Sequence, residues 1–126
     1  MNAVGTRFMR GSLVLLLGAF LGSCDASLCS NELINEVASP NGKYIASVFE
    51  RNCGATTPYV RVVSLHSSDA KLAPEDSDDW VFTIHGQSDV KVSWIADDKL
   101  KVSYSGTGEQ PTRREKKWKG IVIAYD

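Results

Sequence analysis

Apolar and polar residues alternate with a period of two through most of the chain beyond residue 43, the signature of half-buried strands. Val90 to Ile95 (VKVSWI) places Val90, Val92 and Trp94 on one face, and Leu100 to Tyr104 (LKVSY) does the same with Leu100, Val102 and Tyr104. The short link Ala96-Asp97-Asp98-Lys99 between them predicts a hairpin. Tyr44 to Arg51 (YIASVFER) is apolar on both faces, with Tyr44, Ala46 and Val48 opposed to Ile45, Ser47 and Phe49, as in a central strand. Tyr59 to His66, Trp80 to His85 and Trp118 to Tyr125 read as further strands. Glu32 to Ala38 is too short to separate a helical turn from a first strand.

The intervals carry turn chemistry. Pro40-Asn41-Gly42-Lys43 combines a preset φ with residues that tolerate left-handed dihedrals. Asn52 to Pro58 is small and polar, Ser67 to Asp79 is a long acidic connection, and Ser105 to Lys117 is a loop with a basic run. Six or seven short strands with little helix predict an all-β or mainly β fold: a small antiparallel sheet, sandwich or open barrel built from hairpins.

The first 23 residues break this pattern. Arg7 and Arg10 precede a small and apolar run, Gly11 to Gly22, which is the layout of a secretory signal. Twelve residues of helix rise about 18 Å against the roughly 30 Å of a bilayer core, too short to span. The run ends in Leu21-Gly22-Ser23-Cys24, which resembles the lipobox of bacterial lipoproteins. That resemblance implies a signal over residues 1–23, acylation of Cys24, and a lipid bilayer as its partner. Several acyl chains give stable anchoring where one does not. Asp25 then resembles an inner-membrane retention signal of enteric-type bacteria. The expected order is a signal (1–23), a lipidated tether (24–31) and one β-rich domain (32–126).

Charge and cysteine count sharpen this picture. Loss of residues 1–23 removes two of the 14 basic residues and none of the 15 acidic ones, leaving a formal charge of −3. That balance argues against nucleic acid as a partner. Three cysteines leave one thiol over in an oxidising compartment. With Cys24 assigned to lipid, Cys29 and Cys53 form a pair. A bridge across about 25 residues is worth roughly 3.5 kcal/mol in the chain-entropy model. The rival is a reactive Cys53 served by His66 or His85, though no base or activating neighbour is visible.

SPNGKYIASVF resembles the turn-and-strand unit of β-propeller blades, with Asn41 replacing the usual Asp. VSWIADDKLKVSY resembles the same unit; two such units imply hairpins and no closed propeller. Cys29-Ser30-Asn31-Glu32, SPNGKY and Arg51-Asn52-Cys53-Gly54-Ala55-Thr56-Thr57 together resemble a group of small uncharacterised bacterial proteins carrying C-x-N-E, SPDGK and CGATT motifs. This likeness implies that the cysteine pair belongs to the domain. It transfers no activity.

Candidate chemistry is sparse. Cys29, Cys53, His66 and His85 lack the short spacings of zinc sites. Glu75 to Asp79 lacks the glycine and terminal Glu of an EF-hand loop. No cofactor motif is present, and Ser105 to Gly108 has no following lysine to make a phosphate loop. Trp80, Trp94 and Trp118 read first as core residues, with glycan stacking as the alternative. Arg113 and Arg114 open a basic run that suits either anionic head groups or a protected edge strand. The expected function is a non-enzymatic, membrane-anchored envelope lipoprotein acting by contact with an envelope protein, as an inhibitor, immunity-like or structural component. A glycan- or lipid-binding module is the alternative, and a thiol hydrolase stands behind both.

Overall fold

The computed structural model describes residues 29–126. The signal segment, Cys24 and Asp25 lie outside the described residues. Nine strands run in order: β1 (Ser30–Ala38), β2 (Tyr44–Asn52), β3 (Val60–Ser67), β4 (Trp80–His85), β5 (Asp89–Ala96), β6 (Lys99–Ser105), β7 (Pro111–Arg114), β8 (Lys117–Trp118) and β9 (Ile121–Tyr125). They form two sheets, one ordered β1-β2-β3-β4-β7 and the other β5-β6-β9-β8. The first is antiparallel throughout. The second is mixed, because β9 runs parallel to β6.

The sheets face each other across one core. Ala46, Val48, Val63, Leu65, Val81, Phe82 and Ile84 come from the first, and Val90, Val92, Leu100, Val102, Trp118, Ile121 and Ile123 from the second. The β5–β6 hairpin has the expected register, Val92 opposite Val102 and Trp94 opposite Leu100, and the expected residues point inward. In β4 a register shift leaves Val81 as an extra residue opposite β3, so that both Val81 and Phe82 are fully buried.

β2 is a central strand buried on both faces, as its double apolar pattern requires. Phe49 and Val62 pair across β2 and β3 on the face opposite the core, and both are fully buried. The 68–79 connection is tied over this outer face. Trp80 meets Phe49 edge-on at 6.3 Å, and its indole Nε1 donates to the Pro74 carbonyl. Arg51 lies over the Trp80 ring and pairs with Glu75 at 2.8 Å, and Asn31 also donates to Glu75. Glu75 therefore holds the connection down, while Asp76 accepts from the Asp78 amide at the start of a short 3-10 turn.

Three boundaries differ from the sequence expectation. β1 takes in Ser30 and Asn31, which were expected in the tether but pair with Asn52 and Arg51. Pro111–Arg114 forms an edge strand on β4 where a loop was expected. Its proline stands at the strand start, a place that tolerates a missing donor. The expected strand from Trp118 to Tyr125 is broken at Lys119-Gly120, which turns β8 back onto β9.

Candidate functional site

The register gives the sandwich two distinct ends. Cys29 is bonded to Cys53, with an S–S distance of 1.99 Å and Cα atoms 3.9 Å apart. The 52–59 loop and His85 lie at this end, since Val60 pairs with His85. The 39–43 turn, the β5–β6 turn and the β8–β9 turn lie at the other. A nine-residue strand such as β2 separates the ends by roughly 27 Å. His66 pairs with Ile45 near the second end. Cys53, His66 and His85 therefore do not converge, and Cys53 carries no free thiol to act as a nucleophile. Among the described residues no three His, Cys, Asp or Glu side chains are grouped to hold a metal ion.

Arg113, Lys117 and Lys119 of the basic run and two of the three tryptophans meet along the β4–β7 edge, beside the β8–β9 turn. Ser77, Asp78, Trp80, Arg113, Glu115, Lys117, Trp118 and Lys119 line a cleft of about 360 Å3. Four local features build it. β7 pairs with β4, putting Arg113 opposite Thr83, and the Thr83 and Thr112 hydroxyls lock this edge at 2.7 Å. The Arg113 guanidinium donates to the carbonyls of Ser77 at 2.7 Å and Trp80 at 3.3 Å. The Trp118 indole donates to the Asp79 carboxylate, and Tyr44 meets the Trp118 ring edge-on at 5.8 Å. Lys119 Nζ sits 4.6 Å from the centre of the same ring.

Lys119 has φ near +50°, the left-handed region that favours glycine. It also lines a second cleft, of about 390 Å3, with Lys43, Tyr44 and Asp69. The ion pairs formed among the described residues join Arg51 to Glu75, Arg61 to Glu50, Lys91 to Asp89 and Lys101 to Asp126. None of them neutralises Lys43, Arg113, Lys117 or Lys119.

The other singled-out residues lie elsewhere. Trp94 is on β5, and its Nε1 donates to the Val37 carbonyl. Arg114 stacks over the Tyr125 ring at 4.5 Å. The Tyr125 hydroxyl donates to the carbonyls of Glu115 and Val81, and burial pushes its pKa up to about 12. Trp118 is 8% exposed, so its ring serves the core and offers no open stacking face. Lys117 and Lys119 belong to the basic run, and Asp78 to the acidic cluster, that the sequence brings forward separately; Glu115 did not stand out. Their convergence depends on the β4–β7 pairing and the β8–β9 turn, neither of which has a strong local signal. Ser47 Oγ and His66 Nδ1 are buried on the outer face without a hydrogen-bond partner among the described residues.

No curated protein and no solved structure matches the chain. One family model does, over residues 9–107, a span that ends before β7 and so omits Arg113, Lys117, Trp118 and Lys119. The chain belongs to this family, DUF5412, a family of unknown function.

Proposed function

We propose that this chain is an envelope lipoprotein. Its signal, residues 1–23, is removed, Cys24 is acylated, and a β-sandwich is carried at the bilayer surface to work by contact with another envelope protein. The observation that supports this most is the Cys29–Cys53 bridge. It uses two of three cysteines and leaves Cys24, the lipobox residue, as the odd one. The bridge also roots β1 five residues after Cys24, so that force on the tether meets a covalent cross-link before it meets the strand. Asp25 supports retention at the inner membrane. The likeness to small bacterial proteins with C-x-N-E and CGATT motifs supports a shared domain, and an inhibitor, immunity-like or structural role fits its scale.

Replacing Cys24 with Ser tests the reading. Acyl-probe labelling and membrane fractionation should show an unlabelled, released protein that still melts like the parent. Retention of label or of membrane association would sink the anchor. Affinity capture from solubilised envelopes under native salt tests the contact role, which fails if no envelope protein is retained.

A second reading, a glycan- or lipid-binding module, is favoured by the meeting of Trp80, Trp118 and Arg113 in one cleft.

A further inference from the structure

We infer that the cleft between the 3-10 turn, β7 and the β8–β9 turn is a binding site for an acidic saccharide, with Arg113, Lys117 and Lys119 taking its anionic group and Asp78 and Glu115 accepting from its hydroxyls. Three independent observations carry this.

The first is uncompensated charge. Three cations line one concavity, and none has a carboxylate partner among the described residues. Arg113 is also half-buried and already oriented. Its Nη1 is held by the Ser77 and Trp80 carbonyls. Those bonds fix the guanidinium plane without neutralising it, leaving its other nitrogen donors to a ligand. A guanidinium fixed in this way loses little freedom when it meets a carboxylate or phosphate.

The second is backbone conformation. Lys119 occupies a left-handed position at which glycine is cheaper, and the next residue is glycine. The lysine projects its ammonium over the Trp118 ring into the cleft. The two-residue turn from Trp118 to Ile121 requires a positive φ at its first position, and the chain places there a lysine whose ammonium lines the cleft.

The third is the mixture of charges. Asp78 and Glu115 face the same space, so a densely charged anion such as a polyphosphate would be repelled. A saccharide with one carboxylate per ring and several hydroxyls satisfies both sets. The cleft, of about 360 Å3, is the size of a small-ligand site. Because the indoles are packed against Tyr44, Phe49, Arg51 and Lys119, recognition is by ions and hydrogen bonds rather than by ring stacking. The inference deepens the glycan-binding reading and stands whether or not Cys24 carries lipid.

The test uses the full chain in neutral detergent, followed by NMR at the Trp118 indole and the Lys119 amide. Trigalacturonate should give saturable shifts that weaken with added salt. Arg113→Gln should weaken binding roughly tenfold, the loss of one charge-assisted contact, while Lys91→Gln on the other sheet leaves it unchanged. Lys119→Gly keeps the left-handed turn and should also weaken binding; it replaces Arg113→Gln if that variant fails to fold. Chitotriose, a neutral sugar, should produce no saturable shift. The inference is overturned if trigalacturonate gives none at millimolar concentration, if chitotriose binds equally well, or if inorganic phosphate binds as tightly as the sugar acid.

Discussion

The indole of Trp94 donates to the main-chain carbonyl of Val37 across 2.8 Å, joining an edge strand of one sheet to an edge strand of the other. β1 and β5 are both edges, and an edge exposes unpaired backbone groups that invite a second chain. Here one such carbonyl is satisfied from inside the molecule, and the same ring packs against the core. Trp94→Phe should keep most of the packing and lose the donor. The expected cost is about 1–2 kcal/mol, read as a lower urea midpoint with an unchanged slope. A variant as stable as the parent would show that water replaces the bond.

The Cys29–Cys53 bridge should be the largest single contribution that one substitution removes. Cys29→Ser, Cys53→Ser and the double variant should each lose roughly 3–4 kcal/mol, and all three by the same amount. Thermal melts with and without reductant check this. Cys24→Ser should not shift the midpoint. If Cys24→Ser and Cys29→Ser gave one phenotype, the division between anchor and staple would be wrong.

Glu50 and Arg61 face each other across β2 and β3 at 2.8 Å, and Gln87 also donates to Glu50. Their side chains are only 13% and 17% exposed. Removing one partner leaves a poorly hydrated charge. Arg61→Met should therefore cost about 2–3 kcal/mol, and Glu50→Leu with Arg61→Met should restore stability to within about 1 kcal/mol of the parent. Chemical denaturation of the single and double variants measures the coupling.

Tyr125 links pH to stability. Its hydroxyl is buried against the Val81 and Glu115 carbonyls, and its pKa is raised from 10.0 to about 12. The folded state therefore holds its proton where the unfolded chain has lost it. The contribution is fully present below pH 10 and is lost as pH rises through about 12. Partial exposure of the ring reduces it to roughly 1–2 kcal/mol. Tyr125→Phe should flatten the alkaline decline between those values in pH-resolved denaturation curves. An unaltered decline would assign it to other groups.

The hairpin β5–β6 and the double-faced β2 were legible because their signal is local: strict alternation, or its absence, within one segment. The cysteine pair was legible by arithmetic on a single export signal. β7 was not. Pro111-Thr112-Arg113-Arg114 has no apolar period, and its pairing with β4 is decided by a partner 29 residues away, through Thr83 and Thr112. The role of Glu75 was hidden for the same reason. An acidic residue in a polar loop looks solvated until Arg51 and Asn31 are seen to meet it. The tryptophans carried mixed information: their burial was readable, but which of them share a cleft is a property of topology.

The parallel placement of β9 has a kinetic consequence. β9 lies between β6 and β8 in space but follows both in the chain, and Leu100 meets Ile123 only after 22 intervening residues have been laid down. Until then the second sheet consists of the β5–β6 hairpin, and an isolated two-stranded hairpin is marginal in water. Closure of the core thus waits on a non-local pairing, the kind that slows folding to milliseconds or longer. A chain ended before Ile121 would leave Val92, Leu100 and Val102 without the strand that completes their sheet. Premature stops in the final turn should therefore yield aggregated or degraded protein, even though they remove only a few residues.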